Sequence, residues 1–123
     1  MSMRRAPVAI VLAALLAGCA GSPQPSAGVT MGPAPGPALE VEAGDNVFSP
    51  KTLEVEAGQT TTVEITNTGR IPHDFTIAEL GLTTGVLQPG DVATATFASP
   101  AGDVEYTCTL HRGMEGTLEV SAG

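Results

Sequence analysis

Apolar and polar residues alternate with a period of two along most of the chain after residue 38. In LEVEAG (Leu39–Gly44) the apolar residues fall on one side of the backbone and the two glutamates on the other. The same hexapeptide recurs at Leu53–Gly58. Because successive side chains of a strand point to opposite faces, both copies predict β-strands with an apolar inner face and a carboxylate outer face.

The same alternation continues through the remainder of the chain, interrupted by Gly-, Pro- and Asn-containing turns. The further predicted strands are Thr60–Asn67, His73–Ala78, Asp91–Phe97, Asp103–Cys108 and Glu115–Val120. Only the stretch from Glu79 to Gly85 is ambiguous between a loop and one helical turn. Short strands at this spacing predict an all-β fold, a Greek-key β-sandwich of about seven to eight strands.

The N-terminus has the features of an export signal. A basic start is followed by a 12-residue apolar run, Ala6–Ala17, which is shorter than the roughly 20 residues that span a bilayer. The run ends in LAGC (Leu16–Cys19), which resembles a bacterial lipobox. That resemblance implies a lipoprotein signal peptide over residues 1–18 and lipidation of Cys19, and hence an exported protein anchored to the bacterial cell membrane, facing the periplasm or the outside. The alternative is an ordinary secretory signal with an incidental cysteine.

The segment after the lipobox is too rich in Pro and Gly to form a core. Residues 20–37 contain five Pro and four Gly, a composition typical of a semi-extended linker. We therefore expect a lipidated cysteine and tether over residues 19–37, and one folded domain over residues 38–123.

Composition narrows the possible partners. The 123 residues allow one small domain, and 13 acidic against 5 basic residues give a net charge of −8. Nucleic acid is excluded as a partner because phosphate binding needs clustered Lys and Arg. An acidic surface fits a soluble extracytoplasmic protein that meets a basic partner. We expect the protein to be a monomer. With no Trp, one Tyr and three Phe, the core is thin, so a bound ligand would add stability.

Sulfur and imidazole side chains cluster near the C-terminus. Cys108, His111 and Met114 are spaced three apart, and His73 is the other histidine. If Cys19 carries lipid, Cys108 has no disulfide partner, and a metal would protect its thiol from oxidation. Strand parity places Cys108 on the inward face of its strand, with Tyr106, and His73 on the inward face of another.

Each of these side chains taken alone has an ordinary structural explanation. A lone His73, Cys108 or Met114 would more often be a core residue, and we expect Tyr106 to be one. Their joint spacing and parity favour a metal site. A thiolate with two imidazoles and a thioether suits copper, in the His₂Cys arrangement with a weak axial Met of blue-copper centres. A structural zinc site would need a fourth Cys or His.

Residues 38–123 resemble the cupredoxins, in particular plastocyanin and amicyanin. The matching stretches are CTLHRGM (Cys108–Met114), NTGRIPH (Asn67–His73) and FSPKTLEVEAGQT (Phe48–Thr60). The resemblance implies one type 1 copper per chain, with His73, Cys108, His111 and axial Met114 as ligands. Asp74 departs from the family, which usually has Asn there to tie the two ligand loops together, and this departure bears on the redox potential.

These features predict a lipid-anchored carrier of single electrons rather than an enzyme. His111 would be the electron port, surrounded by Leu110, Ile71 and Pro72, with Arg112 exposed beside it. A redox protein with a basic docking surface would be the partner. Copper carriage or buffering is the alternative, although Met31 alone lies in the predicted tether. A copper enzyme would need further histidines for a second copper centre.

Overall fold

The computed structural model of the chain describes residues 27–122, which form two five-stranded β-sheets that enclose one core. The first sheet contains, in spatial order, β1 (Gly28–Met31), β8 (Val92–Ala98), β5 (Thr60–Asn67), β2 (Leu39–Gly44) and β3 (Val47–Ser49). The second contains β4 (Thr52–Glu56), β10 (Glu115–Ser121), β9 (Val104–Thr107), β6 (Thr76–Ile77) and β7 (Leu82–Thr83). The predicted all-β sandwich is confirmed, with ten strands where about seven to eight were expected. Within the described range no helix is long and apolar enough to cross a membrane.

The repeated hexapeptide contributes one parallel strand pair to each sheet. The first copy forms β2, which runs parallel to β5 with Leu39 opposite Val63. The second copy forms β4, which runs parallel to β10 with Leu53 opposite Leu118. The remaining strand pairs are antiparallel. The two copies therefore meet the same requirement, a buried apolar face and an exposed glutamate face, in opposite halves of the sandwich.

An aromatic cluster occupies the centre of the core. Phe48 packs edge-on against Phe75 and Tyr106, with ring centroids 5.8 and 5.4 Å apart, and Phe75 stacks on Tyr106 at 5.1 Å. The Tyr106 hydroxyl donates to the Pro50 carbonyl at 2.9 Å. Burial raises the pKa of Tyr106 to about 12, so the phenol keeps the proton that it donates. The expectation that Tyr106 is a core residue is confirmed.

A strand precedes the predicted start of the domain at Ala38. Strand β1 lies inside the predicted tether and pairs with β8 along its whole length, from Gly28 opposite Thr96 to Met31 opposite Ala93. An edge strand needs only backbone pairing, so a Pro- and Gly-rich composition that cannot build a core can still supply one. The predicted signal peptide, residues 1–18, and Cys19 lie outside the described residues.

Several predicted strands differ from the observed ones in length. The strand predicted over His73–Ala78 is reduced to the two residues of β6, and His73 itself forms an isolated bridge to Leu87. The ambiguous stretch, Glu79–Gly85, begins inside a 3₁₀ turn, Ala78–Leu80, and continues into β7. Strand β3 was not predicted because its three residues are too few to show a period. It nevertheless carries Phe48 into the core.

Candidate metal centre

The segment that carries His73 is shaped by the side chain of Asn67, at the end of β5. The buried Asn67 amide donates to the carbonyls of Ile71 at 2.9 Å and Leu87 at 2.8 Å, and its oxygen accepts the Gly69 N–H at 2.9 Å. His73 and Leu87 exchange two backbone hydrogen bonds, of 3.1 and 2.7 Å. The loop between Asn67 and His73 is therefore fixed at both ends, and the imidazole of His73 is fully buried.

The other donors lie on the loop that joins β9 to β10. Cys108 directly follows β9 and Met114 directly precedes β10, and the Cys108 N–H donates to the Met114 carbonyl at 2.9 Å. The Met114 N–H donates to the His111 carbonyl at 3.3 Å. Gly113 turns the chain with φ of 82°, in the left-handed region that favours glycine. The loop is thus closed by its own backbone, with Cys108 and Met114 both buried.

Asp74 joins the two ligand loops. Its carboxylate accepts the Thr109 N–H at 2.6 Å and also the Thr109 hydroxyl, while its own N–H points to the Cys108 sulfur at 3.4 Å. The tie between these loops, which the resemblance noted in the sequence assigns to Asn, is therefore made here by Asp. A carboxylate offers two acceptor oxygens where an amide offers one, and both oxygens of Asp74 are used on Thr109.

Three donor side chains converge between these loops. The ligand atoms of His73, Cys108 and His111 all lie within 4.8 Å of one another. The Cys108 sulfur is 3.9 Å from Nδ1 of His73, and the two imidazole rings have their centroids 4.8 Å apart. The sequence prediction grouped these three residues, and the structure brings them together.

The outer nitrogen of each imidazole has a protein acceptor. Nε2 of His73 lies 3.2 Å from Oδ1 of Asp45, and Nε2 of His111 lies 3.1 Å from the Pro72 carbonyl. The Arg70 N–H and, second, the His73 side chain hold the pKa of Asp45 below its usual range. With both Nε2 atoms engaged as donors, Nδ1 of each ring is the nitrogen free to bind a metal.

The donor set fits copper. Bond lengths of about 2.0–2.3 Å from a metal to N and S put the donors of a trigonal site roughly 3.5–4 Å apart, and the sulfur-to-Nδ1 distance of 3.9 Å agrees with this. One thiolate and two imidazoles with a buried thioether nearby is the blue-copper combination. Cys108 is the one cysteine among residues 27–122. These residues therefore offer no second thiolate to complete a structural zinc site.

One edge of the centre reaches the surface. His73, Cys108 and Met114 are at most 4% exposed, whereas His111 is partly exposed. Large apolar side chains accompany it. Ile71 directly precedes Pro72, whose carbonyl contacts His111, and Leu110 directly precedes His111. The side chain of Ile71 is 38% exposed and that of Leu110 is 47% exposed. Arg112 is exposed on the same loop, as expected.

The chain belongs to the family described as Cupredoxin-like domain, whose match covers residues 8–120. Among solved structures, it resembles reduced auracyanin from Roseiflexus castenholzii, with a TM-score of 0.60 and 25% identity over 68% of this chain and 96% of that one. Auracyanin B aligns with a TM-score of 0.62 and 21% identity, covering 80% and 99% of the two chains. An oxidised methionine-to-lysine variant of amicyanin aligns with a TM-score of 0.60 and 23% identity, covering 76% and 98%.

A curated relative by sequence is the copper-resistant cuproprotein CopI of Pseudomonas aeruginosa. It is 29% identical over an alignment of 84 residues that covers 64% of this chain and 46% of CopI. The chain therefore spans less than half the length of that relative.

Sequence reasoning missed two contributors to the centre. Thr109 was passed over although it lies next to Cys108, because its role depends on Asp74, 35 residues earlier. Asp45 was passed over because it contacts His73 across 28 residues. The turn-forming sequence around Asp45 gave no sign of that contact.

Proposed function

We propose that this chain is a type 1 copper protein that transfers single electrons in the bacterial cell envelope, with His73, Cys108 and His111 as ligands and Met114 as the axial donor. The observation that carries the proposal is the cluster of one buried cysteine and two imidazoles with one partly exposed histidine edge. Bound copper would supply the one-electron Cu(II)/Cu(I) couple.

The protein's contribution is to hold the ligands still. His73 is fixed by Asn67 and Leu87 through the loop backbone, and Cys108 by the backbone bond to Met114. The tie between Asp74 and Thr109 fixes the distance between the two ligand segments. Ligands that cannot relax toward the preferred geometry of either oxidation state keep the rearrangement small at each transfer.

The exposed edge of His111 offers a path for electrons to a docked protein. Exposed Ile71 and Leu110 give this end of the molecule an apolar surface, which suits a brief encounter. A carboxylate pair lies on β9 and β10, the two strands that flank the loop carrying His111. Glu115 follows Met114 and meets Glu105 on the neighbouring strand, where a hydrogen bond and charge repulsion from Glu115 raise the pKa of Glu105. We therefore assign the partner a basic surface that contacts this acidic flank.

Export and lipid anchoring at Cys19 belong to the same proposal. They are supported by the basic start, the short apolar run and the LAGC motif. A lipid anchor would keep the domain at the membrane surface, where membrane-bound redox partners are found.

The first test is the colour of the copper-loaded domain, produced from residue 27 so that β1 is retained. We expect one copper per chain and an intense blue Cu(II)–thiolate band, absent in Cys108→Ser because an alcohol is not deprotonated as a thiol is. Thr107→Ser, one residue away on the outward face, is the matched control and should stay blue. A colourless protein that prefers zinc at equal supply would refute the proposal.

The second candidate function is copper carriage or buffering, favoured by the likeness to a protein named for copper resistance. An electron carrier keeps its copper through many cycles, whereas a courier hands it over. The closed loop and buried donors favour retention. We therefore expect the reduced protein to be oxidised quickly by a small redox protein and to lose copper slowly to a copper-free acceptor. Fast copper loss with slow oxidation would establish the courier function instead.

A further inference from the structure

Asp45 links the first sheet to a ligand that belongs to the second. It lies in the turn between β2 and β3, and one oxygen, Oδ1, serves two donors. The Arg70 N–H reaches it at 2.9 Å and Nε2 of His73 at 3.2 Å. The carboxylate is 39% exposed while the imidazole it contacts is fully buried. Asp45 is therefore the surface end of a hydrogen bond that leads directly to the proposed copper ligand.

Gly69 leaves the space that this contact needs. A Cβ atom at position 69 would lie 2.3 Å from Oδ1 of Asp45 and 3.0 Å from Nε2 of His73. The φ angle of Gly69 is outside the left-handed region, so the backbone would accept alanine. A side chain at position 69 is excluded because Asp45 and His73 contact each other at the place where its Cβ would lie.

The contact selects one tautomer of His73. A neutral imidazole carries its proton on one nitrogen and a lone pair on the other. A carboxylate facing Nε2 places the proton there and leaves the lone pair on Nδ1, which lies 3.9 Å from the Cys108 sulfur. Hydrogen bonds of this kind also increase the basicity of the ligand nitrogen.

The two histidines differ in the charge of their acceptors. His111 donates to the neutral Pro72 carbonyl, whereas His73 donates to a carboxylate. Negative charge next to a ligand stabilises the more positive oxidation state of a bound metal. Asp45 is thus placed to affect both the orientation of His73 and the balance between Cu(II) and Cu(I).

We propose that Asp45 is a positioning residue of the copper centre, which fixes His73 with Nδ1 toward the metal and through its charge favours Cu(II). The inference rests on copper occupying this site, as in the proposed function. Four variants separate its parts. Asp45→Ala removes the acceptor, Asp45→Asn keeps an acceptor oxygen but removes the charge, and Gly69→Ala displaces the carboxylate sterically. Glu56→Gln is the charge-matched control, because Glu56 pairs with Ser121 at the end of β10, while the centre lies at its beginning.

The first measurement is made on the copper-free protein by ¹⁵N NMR of the histidine rings at mildly alkaline pH. We expect wild type, Asp45→Asn and Glu56→Gln to show the Nε2–H tautomer of His73. Asp45→Ala and Gly69→Ala should show a mixture of tautomers, with circular dichroism confirming that both are folded. Persistence of a single Nε2–H tautomer in Asp45→Ala would overturn the positioning role.

The second measurement is the affinity of each variant for Cu(II) and Cu(I), together with the reduction potential. Asp45→Ala should lose roughly 10–100-fold in copper affinity, as when such supporting residues are removed. Asp45→Asn should lose Cu(II) affinity selectively. A tenfold selective loss would raise the potential by about 59 mV. A shift no larger than that of Glu56→Gln would overturn the proposal. If the tautomers behave as expected but wild type binds no copper, the proposed function fails while the role of Asp45 in fixing His73 stands.

Discussion

Replacing Gly116 with alanine should destabilise the domain through a single steric conflict. Gly116 lies on β10 opposite Tyr106 of β9, and a Cβ there would be 2.3 Å from two ring carbons of Tyr106 and 2.5 Å from its hydroxyl. Ordinary carbon contacts are about 3.5–4.0 Å. The ring cannot retreat easily, because it packs between Phe48 and Phe75 and its hydroxyl is bonded to the Pro50 carbonyl.

The size of the effect follows from these contacts. Overpacking a core costs about 1–3 kcal/mol, and loss of the Tyr106 hydrogen bond adds about 0.5–1.5 kcal/mol. The lower backbone entropy of alanine in the unfolded chain returns about 0.4–1 kcal/mol. We expect a net loss of about 2 kcal/mol in the free energy of unfolding, or roughly 8–16 °C in melting temperature for a domain of this size.

The assay is thermal and urea denaturation of the copper-free domain, with Gly102→Ala as the matched control. A Cβ at Gly102 meets nothing within 4 Å and its φ is not left-handed, so this variant should be neutral or slightly stabilised. A double-mutant cycle with Tyr106→Leu tests the cause, since the cost of Gly116→Ala should shrink when the ring is absent. An equal cost in both backgrounds would refute the steric explanation.

Four further predictions test the rest of the interpretation. Met114→Leu should keep the blue colour and raise the reduction potential, because a weak axial donor that favours Cu(II) is lost; an unchanged potential would show that Met114 is not axial. Starting the chain at Ala38 instead of Ala27 should lower the free energy of unfolding by about 1–3 kcal/mol. The shorter chain loses hydrogen bonds such as those donated by the Gly32 and Ala34 N–H groups, and equal urea midpoints would show that β1 is dispensable. Cys19→Ser should move the protein from membranes to the soluble fraction with its copper spectrum intact, since stable anchoring requires lipid; retention on membranes would refute the lipobox assignment. Electron transfer to a basic partner should slow as salt rises, because exposed charges are screened within about 10 Å at 0.1 M. Glu115→Gln should weaken this dependence, whereas Arg112→Gln, which removes a positive charge, should strengthen it; a rate insensitive to salt would exclude docking on the acidic flank.

Periodicity predicted the long strands well because their burial is strictly alternating. In β5 every second residue from Thr61 to Asn67 is buried, and the predicted bounds of this strand are those observed. In β9 the inward set of Val104 and Tyr106 is buried as the parity required. Two elements gave no such signal. Strand β1 depends on backbone pairing with the distant β8, and the two residues of β7 are too few to show a period.

The same distinction applies to the metal centre. The spacing of Cys108, His111 and Met114 is local, and one short loop brings all three to the same end of the sandwich. The inward face of His73 followed from its alternation with Phe75. The contacts of Asp45 with His73 and of Asp74 with Thr109 are hydrogen bonds between separate loops, and a single sequence has no pattern that records them.

The two sheets contribute different groups to the metal centre. The donors are carried by the second sheet, where His73 precedes β6 and the loop from Cys108 to Met114 joins β9 to β10. The groups that orient His73 come from the first sheet, Asn67 from the end of β5 and Asp45 from the turn after β2. A metal held by these donors is thus coupled to the packing of one sheet on the other. Because a ligand that binds only the folded state adds its binding free energy to the free energy of unfolding, copper would stabilise the sandwich as a whole.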